Sequence, residues 1–114
     1  MNLRRGDVVL AAFPNDDLRS FKSRPGLVVQ SSGLATELPR VVLAGISSRV
    51  DLVGPTRLRV DMARPEGKEA GLRTDSLIFL DYLTSVPKQG IRHVLGHYPA
   101  MAEVDRILRR LLDL

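Results

Sequence analysis

The apolar residues of this chain come in short runs, and almost every run has the length of a β-strand. Val8-Val9-Leu10-Ala11-Ala12-Phe13, Gly26 to Gln30, Val41-Val42-Leu43-Ala44-Gly45-Ile46 and Ser76-Leu77-Ile78-Phe79-Leu80-Asp81 are each five or six residues long. Turn-forming residues bound them. Gly6-Asp7 precedes the first, Pro14-Asn15-Asp16-Asp17 follows it, Ser47-Ser48 follows the third, and Pro87-Lys88-Gln89-Gly90 comes later. Short apolar runs with such punctuation read as strands. Arg57-Leu58-Arg59-Val60-Asp61-Met62 alternates strictly, the pattern of a half-buried antiparallel strand whose polar face carries Arg57, Arg59 and Asp61. Tyr82 to Val86 either continues the strand from Ser76 or starts another, and Ile91 to Leu95 makes a last short strand.

Only the tail breaks this pattern. Pro99 suits the first turn of a helix, and Met101, Val104, Ile107, Leu108, Leu111 and Leu112 then recur at helical spacing on one face. Arg106, Arg109 and Arg110 fall near the C-terminal end, where cations favour the macrodipole; they read as a solvated helix face. Strands closed by one helix predict a mainly β fold, a strongly bent antiparallel sheet or barrel with a C-terminal α-helix packed on it. With 114 residues and neither repeat nor linker, residues 1–114 are expected to form one domain.

The formal charge is +4, and the basic residues are 14 arginines and 3 lysines. Arginine presents a planar fork that matches phosphate, so a basic, arginine-biased domain points to an anionic partner, most often nucleic acid. A compositional bias of the genome would produce the same excess. The chain has no cysteine, which excludes disulfides and thiolate metal sites and is compatible with a reducing cytoplasm. The N-terminus, Met-Asn-Leu-Arg-Arg-Gly-Asp, has no apolar signal segment, and no run approaches the ~20 residues that cross a bilayer. A soluble, cytoplasmic protein that does not enter a membrane is expected.

Ser23-Arg24-Pro25-Gly26-Leu27-Val28-Val29-Gln30 carries the clearest chemical signal. Proline fixes its own φ and pushes the residue before it into an extended conformation. Arg24 therefore stands at a stiff position where loop becomes strand, a good place to hold a guanidinium towards a phosphate. The bland alternative is a surface arginine beside an edge-strand proline.

Taken in order, the segments resemble the MazF/PemK toxins of bacterial type II toxin–antitoxin pairs. The matching pieces are Arg5-Gly6-Asp7-Val8-Val9, Phe13-Pro14, Ser23-Arg24-Pro25 with its strand, Ile46-Ser47-Ser48, Gly71-Leu72 with Asp75-Ser76, and the amphipathic tail. Each piece is weak alone; their order and spacing are more specific. The resemblance implies an SH3-like barrel of the CcdB/MazF type that works as a homodimer. It also implies a sequence-selective mRNA interferase that cuts single-stranded RNA without metal or other cofactor. A labile MazE-like antitoxin would neutralise it by laying an acidic C-terminal segment across the basic groove and folding there. In such enzymes the arginine of the Arg-Pro motif and a threonine after the third strand form the catalytic pair. These positions fall on Arg24 and Ser47. Serine keeps the hydroxyl but lacks the methyl group that stiffens χ1, and Ser48 is the neighbouring hydroxyl.

The implied reaction is attack of a ribose 2′-OH on its own 3′ phosphate, giving 2′,3′-cyclic phosphate and 5′-OH ends. Only RNA carries that nucleophile. A fixed guanidinium meets the charge that develops on phosphorus with two aligned donors. Arginine and serine are both poor bases, which assigns Ser47 to hydrogen bonding and leaves the proton acceptor open. Asn15, Arg19, Ser20 and Lys22 are candidate RNA contacts or simply a mobile polar loop. Arg49, Arg57 and Arg59 could extend a positive groove for phosphates, or Arg59 could pair with Asp61. His93 with His97 is a rival acid–base pair, although strand geometry and Gly96 favour structural roles. Asp7, Asp75 and Asp81 fit no metal motif and read as turn and strand-end residues. Two further functions remain: a gyrase poison of the same architecture, disfavoured by the absence of tryptophan, and a non-cleaving nucleic-acid-binding barrel, weakened by only three Phe and two Tyr.

Overall fold

The computed structural model describes residues 2–114, and its elements follow the sequence pattern closely. In chain order they are β1 (Asp7–Pro14), β2 (Phe21–Val28), α1 (Ser32–Glu37), β3 (Arg40–Ser47), β4 (Arg57–Val60), α2 (Pro65–Glu69), β5 (Ser76–Pro87), β6 (Ile91–His97) and α3 (Met101–Leu112). A 3-10 turn at Lys88–Gly90 joins the last two strands. The strands form one antiparallel sheet in the order β4-β5-β3-β2-β1-β6.

Neighbouring residues of a strand face opposite sides of its sheet, and here both sides are covered. Val8, Leu27, Ala44, Ile46, Ile78 and Leu80 form one buried cluster with Val104 and Ile107 of α3. Val9, Phe13, Val28, Val41 and Leu43 form a second, which Leu3 and Ala35 of α1 complete. Burial on both faces explains why β1 and β3 read as unbroken apolar runs, without alternation. Each such Leu, Val or Ile stabilises the fold by roughly 1.5–3 kcal/mol relative to exposure.

Three details correct or settle the sequence expectation. First, β2 starts at Phe21, ahead of the apolar run at Gly26, because Phe21, Lys22 and Ser23 pair with Pro14, Phe13 and Ala12 while remaining exposed. Backbone hydrogen bonds extend the hairpin there without any apolar signal. Second, the stretch from Ser76 to Pro87 is one strand. Its register against β3 jumps from Phe79↔Gly45 to Leu83↔Ala44, so Leu80 to Tyr82 bulge and bend the sheet. Third, Leu111 and Leu112 are exposed, although they share the apolar period of α3. The helix outruns the sheet beneath it.

Candidate active site

The register of three strands assembles a cleft. β2 pairs with β3 through Gly26↔Gly45, and the ladder ends there, beside Pro25, which has no N–H to donate. Continuing the register past the ladder places Pro25 across from Ile46 and Arg24 across from Ser47. On its other side Pro25 pairs with Leu10 of β1, and Leu10 pairs with His93 of β6. Ile46, Pro25, Leu10 and His93 thus form a row across four strands. All four line a cavity of about 650 Å³, together with Arg24 and Ser47. The floor is mostly apolar, with hydroxyls at one end and an imidazole at the other.

The facing wall is the segment between α2 and β5. Gly71 has φ +73°, and a Cβ there would lie 2.1 Å from the carbonyl oxygen of Leu95. A Cβ on Gly96 would lie 2.4 Å from the carbonyl oxygen of Glu69. The two backbones touch where neither residue has a side chain. Only glycine fits both the left-handed φ and that contact. This pins Leu72, Arg73 and Thr74 against the cavity, where Ser76 also contributes. The pinned segment is anchored at Asp75, whose carboxylate accepts the N–H of Met62 at 2.8 Å and pairs with Arg59 at 3.1 Å. The alternative pairing of Arg59 with Asp61 is therefore not made; Asp61 instead accepts the N–H of Ala63.

Among the described residues, Arg24 is half-buried and has neither a carboxylate partner nor a side-chain hydrogen bond. It lines the main cleft and also a smaller cavity of about 400 Å³ shared with Asn15, Asp16, Asp17 and Tyr82. The Ser47 hydroxyl accepts the N–H of Arg49 at 3.1 Å, which closes the turn and orients the side chain. Ser48 and Lys22 also line the cleft.

The remaining candidates lie elsewhere. Arg49 grips Asp51 with two hydrogen bonds of 3.0 and 2.9 Å, and that hydrogen bonding holds the exposed Asp51 carboxyl below its usual range. Arg57 lies over the Phe79 ring at 4.3 Å, donates to the carbonyl of Leu52 at 2.8 Å and pairs with Asp81 at 3.2 Å. That pairing holds the Asp81 carboxyl below its usual range. Arg49 and Arg57 brace loops and are outside the cleft lining. The Asn15–Ser20 loop is held together internally. Asp17 accepts the backbone N–H groups of Arg19 and Ser20, which lowers its pKa, and Asn15 donates to the Ser20 hydroxyl.

The two histidines part company. His97 Nδ1 lies 3.0 Å from the buried Asp7 carboxylate, which also accepts the N–H of Arg4, so His97 has a structural role. His93 opens into the cleft. Asp7, Asp75 and Asp81 are each occupied by a different cation or N–H partner and do not converge. No group of three His, Cys, Asp or Glu among the described residues could hold a metal. Sequence reasoning passed over Arg73 and Thr74, although the flanking Gly71-Leu72 and Asp75-Ser76 marked the segment.

The chemistry of the cleft is therefore one-sided. Lys22, Arg24 and Arg73 are its charged members, no carboxylate lines it, and four hydroxyls (Ser47, Ser48, Thr74 and Ser76) supply neutral donors and acceptors. Such a surface accepts an anion that carries hydroxyls and a flat apolar portion.

Comparison with known proteins identifies the family and the fold. A family model described as PemK-like, MazF-like toxin of type II toxin–antitoxin system matches residues 4–112. The fold is similar to the Mycobacterium tuberculosis toxin MazF-mt6, with a TM-score of 0.73 at 22% identity over 95% of this chain and 97% of that one. It is similar to MazF from Deinococcus radiodurans, with a TM-score of 0.76 at 21% identity over 100% and 99% of the two chains. A mycobacterial endoribonuclease in complex with its cognate antitoxin gives a TM-score of 0.76 at 19% identity over 98% and 96%. No curated protein matches the chain in sequence. Among the described residues, no helix is long and apolar enough to cross a membrane.

Proposed function

The chain belongs to the PemK-like, MazF-like toxins of type II toxin–antitoxin systems, and on that premise we propose that it is a sequence-selective endoribonuclease acting on single-stranded RNA. The observation that carries the reading is the convergence of Arg24 and Ser47 on one cation-lined cleft free of carboxylates. The substrate 2′-oxygen attacks the adjacent phosphorus, and the 5′-oxygen leaves. Arg24 holds the phosphoryl oxygens as their charge grows, worth ~100–1000-fold in rate for a preorganised donor. Ser47, oriented by its bond to the turn, hydrogen-bonds the phosphate or the 2′-OH. The protein's own side chains carry the reaction in this scheme, with no metal.

The toxin works as a homodimer in the cytoplasm and is restrained by an antitoxin. That partner's acidic segment competes with RNA for Lys22, Arg24 and Arg73. Purified protein incubated with mixed RNA tests the activity directly. Products should carry 2′,3′-cyclic phosphate and 5′-OH ends and should form equally in EDTA, while DNA of the same sequence stays intact. Uncut RNA, or cleavage that EDTA abolishes, removes the proposal.

A further inference from the structure

The scheme above needs a group to take the proton of the 2′-OH, and the cleft holds one residue suited to it. From the geometry we infer that His93 is that proton acceptor, an inference that rests on the endoribonuclease reading. The lining contains Lys22, Arg24, Arg73, serines, a threonine and apolar residues. Lysine and arginine are protonated at neutral pH, and hydroxyls are too weakly basic to take a proton. Imidazole is the side chain whose charge ordinarily changes between pH 5 and 8. His93 is the only imidazole in the lining, because His97 is turned to Asp7.

The register gives the distance scale. Ile46, Pro25, Leu10 and His93 lie on successive strands β3, β2, β1 and β6. Three strand spacings of ~4.8 Å put the two ends of the row about 14 Å apart at the backbone. Side chains reaching in from both ends leave room for a ribose and its phosphate above Pro25 and Leu10. The inferred arrangement puts the phosphate on Arg24 and Ser47 and its ribose on the side of the cleft that His93 lines. The charged groups around His93 are Lys22 and Arg24 from β2, Arg73 from the pinned wall and, on its own strand, Arg92, which donates to the Ser23 hydroxyl at 2.9 Å. No carboxylate in the lining competes for the proton. The nearest rivals are in the smaller cavity. Asp17 is already engaged with two N–H groups and the Ser20 hydroxyl, while Asp16 is free to act.

A lone pair of a His93 ring nitrogen takes the 2′-OH proton as the 2′-oxygen forms its bond to phosphorus. The bond from phosphorus to the 5′-oxygen breaks, and its electron pair stays on that oxygen, which is protonated by water. The imidazolium then returns its proton to solvent. Nothing is oxidised or reduced.

The test uses the full-length protein, an RNA oligonucleotide containing the mapped cut site, and the same oligonucleotide with a 2′-deoxy residue at the cut. Single-turnover rates are measured from pH 5 to 9 for wild type, His93→Gln and Asp16→Asn. Wild type should show a limb over which the rate rises with pH. His93→Gln should lose that limb and fall ~100–10,000-fold, the usual worth of a positioned base. Its affinity for the uncleavable oligonucleotide should stay within about threefold, under 1 kcal/mol. Free imidazole should partly restore His93→Gly, which a merely structural role would not allow. The inference is overturned if His93→Gln keeps the limb and a rate near wild type, or if Asp16→Asn alone loses them. Failure of the endoribonuclease reading shows separately, as wild-type protein that yields no cyclic-ended product at any pH.

Discussion

Arg24→Ala isolates transition-state stabilisation from folding, because the structure gives this side chain nothing else to do. It has no carboxylate partner and no side-chain hydrogen bond among the described residues, and its neighbours across the hairpin meet it through backbone pairing with Ala11. Removing a half-buried side chain without such partners should change stability by no more than about 0.5 kcal/mol. In a domain of this size that is a shift of roughly 2–3 °C in Tm. The rate should behave very differently. Loss of a preorganised donor to a developing anion costs ~100–1000-fold, or about 2.7–4 kcal/mol. Ground-state binding of the 2′-deoxy oligonucleotide should weaken by at most about tenfold, ~1.4 kcal/mol, since Lys22 and Arg73 remain. Arg24→Lys keeps the charge but loses the two-pronged geometry and should fall between the two. Single-turnover cleavage, anisotropy and thermal melts of the same preparations separate these quantities. Two results would refute the reasoning: cleavage by Arg24→Ala within threefold of wild type, or a Tm loss large enough to explain the defect by unfolding.

Gly71→Ala should destabilise the protein by at least ~2 kcal/mol, because a left-handed φ alone costs a non-glycine residue about 1–2 kcal/mol and the new Cβ would lie 2.1 Å from the Leu95 carbonyl oxygen. Gly33→Ala is the control. It sits in α1 with nothing within 4 Å of the added carbon and should stabilise by about 0.5–1 kcal/mol; urea melts of equal stability for the two variants would contradict the pinned wall. Asp81→Asn should reveal a pH-dependent contribution. The folded Asp81 carboxyl is held low by Arg57, so its stabilisation is complete above the unfolded carboxylate pKa of ~3.9 and is lost as pH falls through the folded value. With the Asp81 side chain 34% exposed, solvent screening limits the gain to ~1 kcal/mol or less. The wild-type advantage in urea melts should shrink progressively as pH falls below about 3.9; a gap that does not change with pH would be inconsistent with the ion pair. Finally, a short uncleavable RNA filling one cleft meets three cations, so log K against log salt should have a slope near −2, that is ~−0.7 for each of three contacts. Arg73→Ala should lower the slope by about one contact, and a wild-type slope near −4, that is ~−0.7 for each of six contacts, would mean that Arg49, Arg57 and Arg59 also meet the backbone.

The strands were legible because burial leaves a mark on sequence. Val8 to Phe13, Val41 to Ile46 and Ser76 to Leu80 feed two cores, and their composition says so. The start of β2 was not legible, since Phe21 to Ser23 are held by backbone pairing while their side chains stay exposed. α1 and α2 are single turns of 6 and 5 residues, too short for a helical period to register. At the site, Arg24 stood out because it precedes an apolar run next to Pro25, whereas Ser47 was singled out by the family resemblance, which places a catalytic hydroxyl after the third strand. Arg73 and His93 carry no such local signature. Arg73 reaches the cleft only because Gly71 and Gly96 let two backbones touch. His93 reaches it only because β6 pairs with β1, across almost the whole length of the chain. Local pattern identifies strands; which residues share a row depends on register that no window of sequence contains.

The arginine excess shows the same division between composition and placement. Arg4, Arg5, Arg49, Arg57, Arg59, Arg64 and Arg106 each pair with an aspartate or glutamate. Those pairs cancel locally and lend little to an external field, and most hold a turn or a chain end in place. Arg5 ties the N-terminal segment to Asp105 of α3, Arg57 fastens the Leu52 loop to β5, and Arg59 anchors the pinned wall through Asp75. Other cations outside those pairs, such as Arg19, Arg40 and Lys88, are scattered over the surface, but Lys22, Arg24 and Arg73 line one cavity without an acidic group. A recess lined by one sign of charge focuses potential far more than the same charges spread over a convex surface. The paired arginines therefore serve the site indirectly. By bracing the loops around it, they leave Lys22, Arg24 and Arg73 without carboxylate partners among the described residues and facing the same volume.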